Sequence, residues 1–180
     1  MFALTPRLML RPGWPEDAPE LARAIGHEDV VSRLARVPWP YAEADARWFL
    51  SQPRGAEEPV FLIMERGPEP RLVGGIDIHS GETQHELGYW LTPSAWGRGY
   101  ATEAGLALIE LARDALRLPR LRATAFIGNK GSARVLAKLG FRDTGRIVPR
   151  ASLALGREVD AVECELDLTD ARTRATPLTA

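Results

Sequence analysis

The sequence predicts a mixed α+β fold with an antiparallel meander at its centre. Two observations predict it. Three short apolar runs follow one another in mid-chain with only Gly/Pro turns between them, and helix-spaced apolar stripes stand before and after that block. The 180 residues suffice for one sizeable core, and 45% apolar with 26% charged residues is the balance of a globular chain.

The elements follow in order. Leu8–Arg11 reads as a short strand ended by Pro12-Gly13. Pro15-Glu16-Asp17 opens a helix, since proline suits the first turn and acids complement the dipole there. Its stripe is Ala18, Leu21, Ala22 and Ile25. Val37–Tyr41 holds two prolines and is irregular. Glu43–Ser51 is a helix with Ala46, Phe49 and Leu50 apolar, stopped by Pro53. Val60–Met64, Leu72–Ile78 and His85–Leu91 are the three strands of a meander, turning at Gly67–Pro70 and Ser80–Glu82. Gly74-Gly75 marks a bulge or a close approach. A long helix follows Gly99, with Ala101, Ala104, Ala107, Leu108, Leu111 and Ala115 apolar and Pro119 closing it. Leu121–Phe126 is a strand and Lys130–Leu139 a helix, with Gly140 at the left-handed position after it. Two last strands, from Phe141 and over Val159–Leu168, flank a loop at Pro149–Gly156. Residues 1–168 read as one domain and 169–180 as a frayed, small and polar tail.

Composition narrows the function. With 23 basic and 24 acidic residues the net charge is −1, which lacks the basic footprint of a nucleic-acid binder. One cysteine, Cys164, forms no internal disulfide and reads as core, with a nucleophile the lesser alternative. The three histidines show no metal-ligand spacing, and no metal is expected. No apolar run is long enough to span a membrane, and the first residues lack the apolar stretch and cleavage site of a signal peptide, so a cytoplasmic protein is expected.

Three stretches carry chemistry. Trp96-Gly97-Arg98-Gly99-Tyr100-Ala101-Thr102 lies between a strand and a helix. Its glycines let backbone N–H groups approach a ligand, the helix dipole points at the same place, and Arg98 adds a charge, which together suit a pyrophosphate. A dinucleotide fingerprint wants glycine where Thr102 stands, and no P-loop string exists. A plain strand-to-helix turn with an exposed arginine explains the same residues. In the second stretch Asn129 is a good N-cap, and Ser132 shares the apolar stripe of Val135, Leu136 and Leu139. A hydroxyl there needs a partner, either a ligand or the local backbone. In the third, Glu86, Gly88 and Trp90 share one strand face, with His85, Leu87, Tyr89 and Leu91 on the other. A carboxylate on an interior strand has its pKa pushed toward the range of a general base, whereas one at a solvated strand end is inert.

Taken together and in this order, the strings Glu86–Leu91, Trp96–Ala104 and Asn129-x-x-Ser132 running to Lys138-Leu139-Gly140-Phe141 resemble the GNAT N-acetyltransferases. Arg7-Leu8-x-Leu10-Arg11 and Pro38-x-Pro40-Tyr41 resemble the RimJ/RimL-like branch, and the likeness covers about residues 7–168. The resemblance implies a central twisted, mostly antiparallel sheet with flanking helices, splayed into a V between the strand ending near Leu91 and that of Leu121–Phe126. Acetyl-CoA would lie in the V. Trp96, Gly97, Arg98, Gly99, Tyr100, Ala101 and Thr102 would hold the pyrophosphate, and Trp90, Leu91 and Thr92 the pantetheine arm. Asn129, Ser132 and Lys138 would also contact the cofactor. Glu86 would take the proton of the acceptor amine and Ser132 would protonate the leaving thiolate. Ser132 departs from the tyrosine of many members and fits the branch. The acceptor would be a protein N-terminus or a small amine, attacking directly in a ternary complex. Its pocket would be lined by Trp39, Tyr41, Trp48 and the Pro149–Gly156 loop. A homodimer would follow family habit. A non-catalytic acyl-CoA sensor on the same fold is the alternative, against which Glu86 and Ser132 both count.

Overall fold

A computed structural model describes residues 1–81 and 84–169. Glu82 of the expected turn, and all of the expected tail but Thr169, lie outside the described residues. Among the described residues eight strands form one sheet: β1 Ala3–Leu4, β2 Leu8–Arg11, β3 Val60–Glu65, β4 Arg71–Ser80, β5 His85–Leu91, β6 Arg120–Phe126, β7 Arg142–Ser152 and β8 Arg157–Asp167. Their order is β1-β2-β3-β4-β5-β6-β8-β7. Neighbours are antiparallel except β5 and β6, which run parallel and pair at one register, Glu86 with Arg122. The helices are α1 Ala18–Ile25, α2 Glu28–Val31, α3 Glu43–Ser51, α4 Tyr100–Asp114 and α5 Lys130–Lys138.

Helices α4 and α5 cover one face of the sheet, over Leu8, Leu10, Ile63, Ile76, Leu87 and Leu121. On the other face α1 and α3 bring Leu21 and Ala46 onto Leu62, Met64 and Leu72, the alternate residues of the same strands. Helix α1 begins where Asp17 accepts the Trp14 N–H at 2.7 Å and is clamped by Arg11 at 2.7 and 2.6 Å. Ile63 pairs with Gly74 and Met64 with Leu72, so Val73 is the extra residue of a bulge. The close approach expected at the neighbouring glycines is real too, since a Cβ on Gly75 would stand 2.5 Å from the Trp90 indole nitrogen.

The structure departs from the sequence reading in four places. Strand β1 and helix α2 are too short to show a period. Helix α4 buries Glu103, Gly105, Ile109 and Ala112 besides Ala101, Ala104 and Leu108, because the N-terminal segment and Leu139 at the end of α5 cover it as well as the sheet. Ala115 is exposed. The same helix stops at Asp114, ahead of Pro119, and Arg117 at φ 55° turns the chain toward β6. Finally, half of the expected Pro149–Gly156 loop belongs to β7, whose edge position tolerates Pro149.

Candidate active site

The glycine turn between β5 and α4 is built from backbone. Gly97 and Gly99 take φ of 73° and 80°, a region L side chains avoid, and a Cβ on Gly97 would meet nothing within 4 Å. Gly99 caps α4, and the first intrahelical bond runs from the Glu103 N–H to the Gly99 carbonyl. The N–H groups of Tyr100, Ala101 and Thr102 therefore point out of the helix end together with its dipole. Arg98 is not the free charge the sequence suggested. Its guanidinium lies 2.7 Å from Glu65 and 4.6 Å over the Tyr100 ring. Glu65 also accepts from the Tyr100 hydroxyl, and from Arg71 at 2.6 Å. These bonds, the Tyr100 one foremost, hold the Glu65 carboxyl down to about 2. Behind the turn, Arg7 donates to the Arg98 carbonyl at 2.9 Å and pairs with the buried Glu103 at 2.6 Å. Burial works to raise the Glu103 carboxyl, but hydrogen bonds from the Thr5 hydroxyl and the Arg7 amide and guanidinium win and hold it below its usual range. With both arginines neutralised, the pull of the turn on an anion comes mainly from N–H groups and the dipole.

Beyond Glu86 the strands β5 and β6 separate. The Thr92 N–H donates to the Val73 carbonyl at 2.9 Å, so by antiparallel alternation Tyr89 and Leu91 turn their N–H and C=O groups into the gap. The Leu91 carbonyl is already engaged by the Trp96 indole N–H at 2.9 Å, and Arg33 lies 5.1 Å over that ring. Across the gap, Asn129 accepts the Ser132 N–H at 3.1 Å and caps α5. The Ser132 hydroxyl has found its partner, the Tyr89 hydroxyl at 2.9 Å. Burial pushes the Tyr89 phenol up, with the bond to Ser132 opposing it weakly. Lys138 lies exposed, six residues and about 9 Å further along the helix.

Glu86 occupies the face opposite α4 and α5, and it is not the isolated carboxylate the strand pattern suggested. Its side chain is 12% exposed, accepts from the Thr124 hydroxyl at 2.9 Å and pairs with Arg150 at 2.7 Å. On the adjoining strand His79 stands opposite Glu86 in register, its Nδ1 2.8 Å from Asp77. Arg150 arrives because the β7–β8 hairpin folds over this face as a strap. Its Leu153 N–H bonds to the Ala35 carbonyl at 3.0 Å, and Ala154 packs against the cluster of Ile25, Val30 and Val31.

The structure thus brings Tyr89 to Ser132, and Arg150 and Thr124 to Glu86. Sequence reasoning left the roles of Arg150, Thr124, Glu65 and Asp77 unread, because each acts across strands far apart in the chain. Asp77-x-His79 carried a signal, a period-2 pair on the Glu86 face. Tyr41 packs on the Ile25, Val30 and Val31 cluster, as does Ala154 of the hairpin, whereas Trp48 stands outward on α3, 66% exposed. Cys164 lines an apolar cavity of about 420 Å³ on the β8 side of α5, with Phe126 and Phe141. Burial, with Asp143 and Glu163, pushes its thiol up and makes it a poor nucleophile. Among the described residues no helix is long and apolar enough to cross a membrane.

An uncharacterized N-acetyltransferase of Bacillus subtilis (strain 168), YnaD, is 33% identical over 107 residues, 58% of this chain and 62% of its own length. The chain therefore spans somewhat less than two thirds of that relative. The crystal structure of an acetyltransferase of the GNAT family from Bacillus anthracis superposes with a TM-score of 0.80 at 26% identity, covering 94% of this chain and all of the other. Mycobacterium smegmatis RimJ, solved with CoA-disulfide, shares the fold at TM-score 0.74 and 24% identity, over 93% and 86% of the two chains. The acetyltransferase (GNAT) domain matches residues 7–142, from the arginine that braces the glycine turn to the start of β7, and the chain belongs to that family.

Proposed function

We propose that this chain transfers acetyl from acetyl-CoA to an amine, with both substrates held together in the gap and on the face beneath the strap. The observation that carries this reading is the single-register contact of β5 with β6 beside an outward-pointing helix end at Gly97–Thr102. The gap offers backbone groups to an extended amide-bearing arm, and the turn offers N–H groups to a pyrophosphate. The donor set thus suits coenzyme A.

Bound acetyl-CoA supplies an acyl carbon on a thiol leaving group. The rest belongs to the protein. The Leu91 N–H, turned into the gap, is placed to stabilise charge on the thioester oxygen. Asn129 has its Oδ1 committed to Ser132, which leaves its amide donors for the cofactor. Glu86 accepts the proton of the ammonium, directly or through water, since only the free amine attacks. The nitrogen lone pair forms the C–N bond and the C–S bond breaks. The Ser132 hydroxyl, aligned by Tyr89, gives the departing sulfur a proton, and the second proton shed by the acetylated nitrogen restores the hydroxyl. Holding both reactants in one place is a large share of the acceleration. The RimJ/RimL-like strings of the sequence favour a protein N-terminus as one class of acceptor, and a small amine is the other.

Thermal unfolding with and without acetyl-CoA tests this, with ATP and NAD as controls. At about 100 times its dissociation constant the ligand stabilises the chain by about 2.7 kcal/mol. A shift with acetyl-CoA alone, followed by CoA release on adding amines, supports the reading. A shift without any turnover leaves an acyl-CoA sensor. No shift refutes the cofactor.

A further inference from the structure

The partner of Glu86 says something about the acceptor. Arg150 is 31% exposed and Glu86 12%, so their ion pair is largely withdrawn from water. The Arg150 Nε is buried and has no hydrogen-bond partner among the described residues. A buried, unpaired N–H on a cation is costly unless something comes to accept from it. The neighbouring arginines offer no such vacancy. Arg122 and Arg146 are both closed on Glu163, at 3.0 Å for Arg122 and in a second contact for Arg146.

An acceptor that brings its ammonium to Glu86 competes with Arg150 for the same carboxylate. If the acceptor is only a cation, Arg150 is left as a half-buried charge without a counterion, which opposes binding. If the acceptor carries an anion close to its amine, the two ion pairs exchange: ammonium to Glu86, anion to Arg150. The idle Nε–H then gains its acceptor, and the planar fork of the guanidinium can hold a carboxylate through two parallel bonds.

We propose that the acceptor is an α-amino-acid-type zwitterion, its ammonium on Glu86 and its carboxylate on Arg150. This rests on the acetyl-transfer reading of the same site. The reaction joins the amino nitrogen to the acetyl carbon and breaks the C–S bond. The ammonium gives up two hydrogens, one to the CoA thiol and one as a released proton. The product is an N-acetylated amino acid that keeps its carboxylate.

The test measures CoA release with the common L-amino acids, with their α-amides, and with a short peptide of neutral side chains. Amides have less basic amines, which biases the assay against the proposal. At least one free acid is expected to exceed its amide in kcat/KM by about tenfold or more, the worth of one satisfied charged hydrogen bond. In Arg150→Gln that ratio falls toward one, and Arg150→Lys, keeping the charge without the fork, restores part of it. Thermal unfolding of both variants shows whether the strap still folds, and the lysine form carries the test if the glutamine form does not. Equal rates for acids and amides, a preference for the neutral peptide, or a ratio that survives Arg150→Gln overturns the proposal. So does turnover of no amino acid by a chain that binds acetyl-CoA, an outcome that leaves the transferase reading standing. Failure to bind acetyl-CoA removes both.

Discussion

The Tyr89 hydroxyl lies 2.9 Å from the Ser132 hydroxyl, joining the inner edge of β5 to the first turn of α5 across the gap where β5 and β6 part. Ser132 belongs to the apolar stripe of α5, so its polar group needed a partner, and the strand beside the gap supplies it. The two hydroxyls form one unit that can pass a proton into the gap.

Ser132→Ala and Tyr89→Phe are each expected to lower kcat by roughly two- to tenfold. The effect is modest because a thiol of pKa about 8.5 already leaves well. Groups acting as a unit are non-additive, so the double variant should lose little more than the worse single one. Steady-state rates of the four proteins decide it. Multiplying losses would mean that the hydroxyls act separately.

Gly99→Val is expected to weaken acetyl-CoA binding by at least about tenfold. The residue sits at φ 80°, where a β-branched side chain is strained by roughly 1–2 kcal/mol, and its Cβ would stand 3.4 Å from Arg7 on the approach to the helix end. Calorimetric titration reads the affinity, and circular dichroism reads the fold. An unchanged affinity in a folded variant would take the pyrophosphate away from this turn.

Glu65 should leave a mark on acid unfolding. Its carboxyl is held to about 2 against an ordinary 4.5, first by the Tyr100 hydroxyl and then by Arg71 and Arg98. A depressed folded pKa contributes stability that is complete above about 4.5 and drains away as the pH falls toward 2. Glu65→Gln should be less stable than wild type at pH 7, with the difference shrinking through that window. Urea unfolding at pH 7, 5, 4 and 3 follows it. A gap of constant size would mean that the carboxylate is unpaired in solution.

The meander and the helices α1, α4 and α5 were legible because each run has its own period and its own stop signals: Pro15 before α1, Gly99 before α4 and Gly140 after α5. The glycine turn, Asn129 and Ser132 were legible as local strings. The electrostatic partners were not. Arg98 finds Glu65 on β3, and Glu86 finds Arg150 on β7, and no spacing rule links residues 33 or 64 positions apart. Glu86 read as a carboxylate among apolar neighbours because its own strand is apolar. Its real neighbours come from β6 and from a hairpin whose course depends on a register shift between Asp143 and Ile147. Local pattern fixes elements, while tertiary register decides which charges meet.

That register makes Glu86 the position where a proton-transfer role can be separated from a structural one. Glu86→Gln keeps the shape and an acceptor oxygen for Thr124 but loses the charge that pairs with Arg150. If Glu86 takes the ammonium proton, the loss in turnover is largest at low pH, where nearly all the acceptor is protonated. It narrows as the pH rises and free amine becomes available without a base. Acetyl-CoA affinity should hardly change, because the groups assigned to the cofactor are the glycine turn and backbone of the gap, and the Glu86 side chain is not among them. A pH–rate profile for both proteins, with cofactor affinity measured in parallel, separates the cases. A deficit equal at every pH would mean that Glu86 only anchors the strap through Arg150. A deficit confined to low pH with intact cofactor binding assigns it the proton.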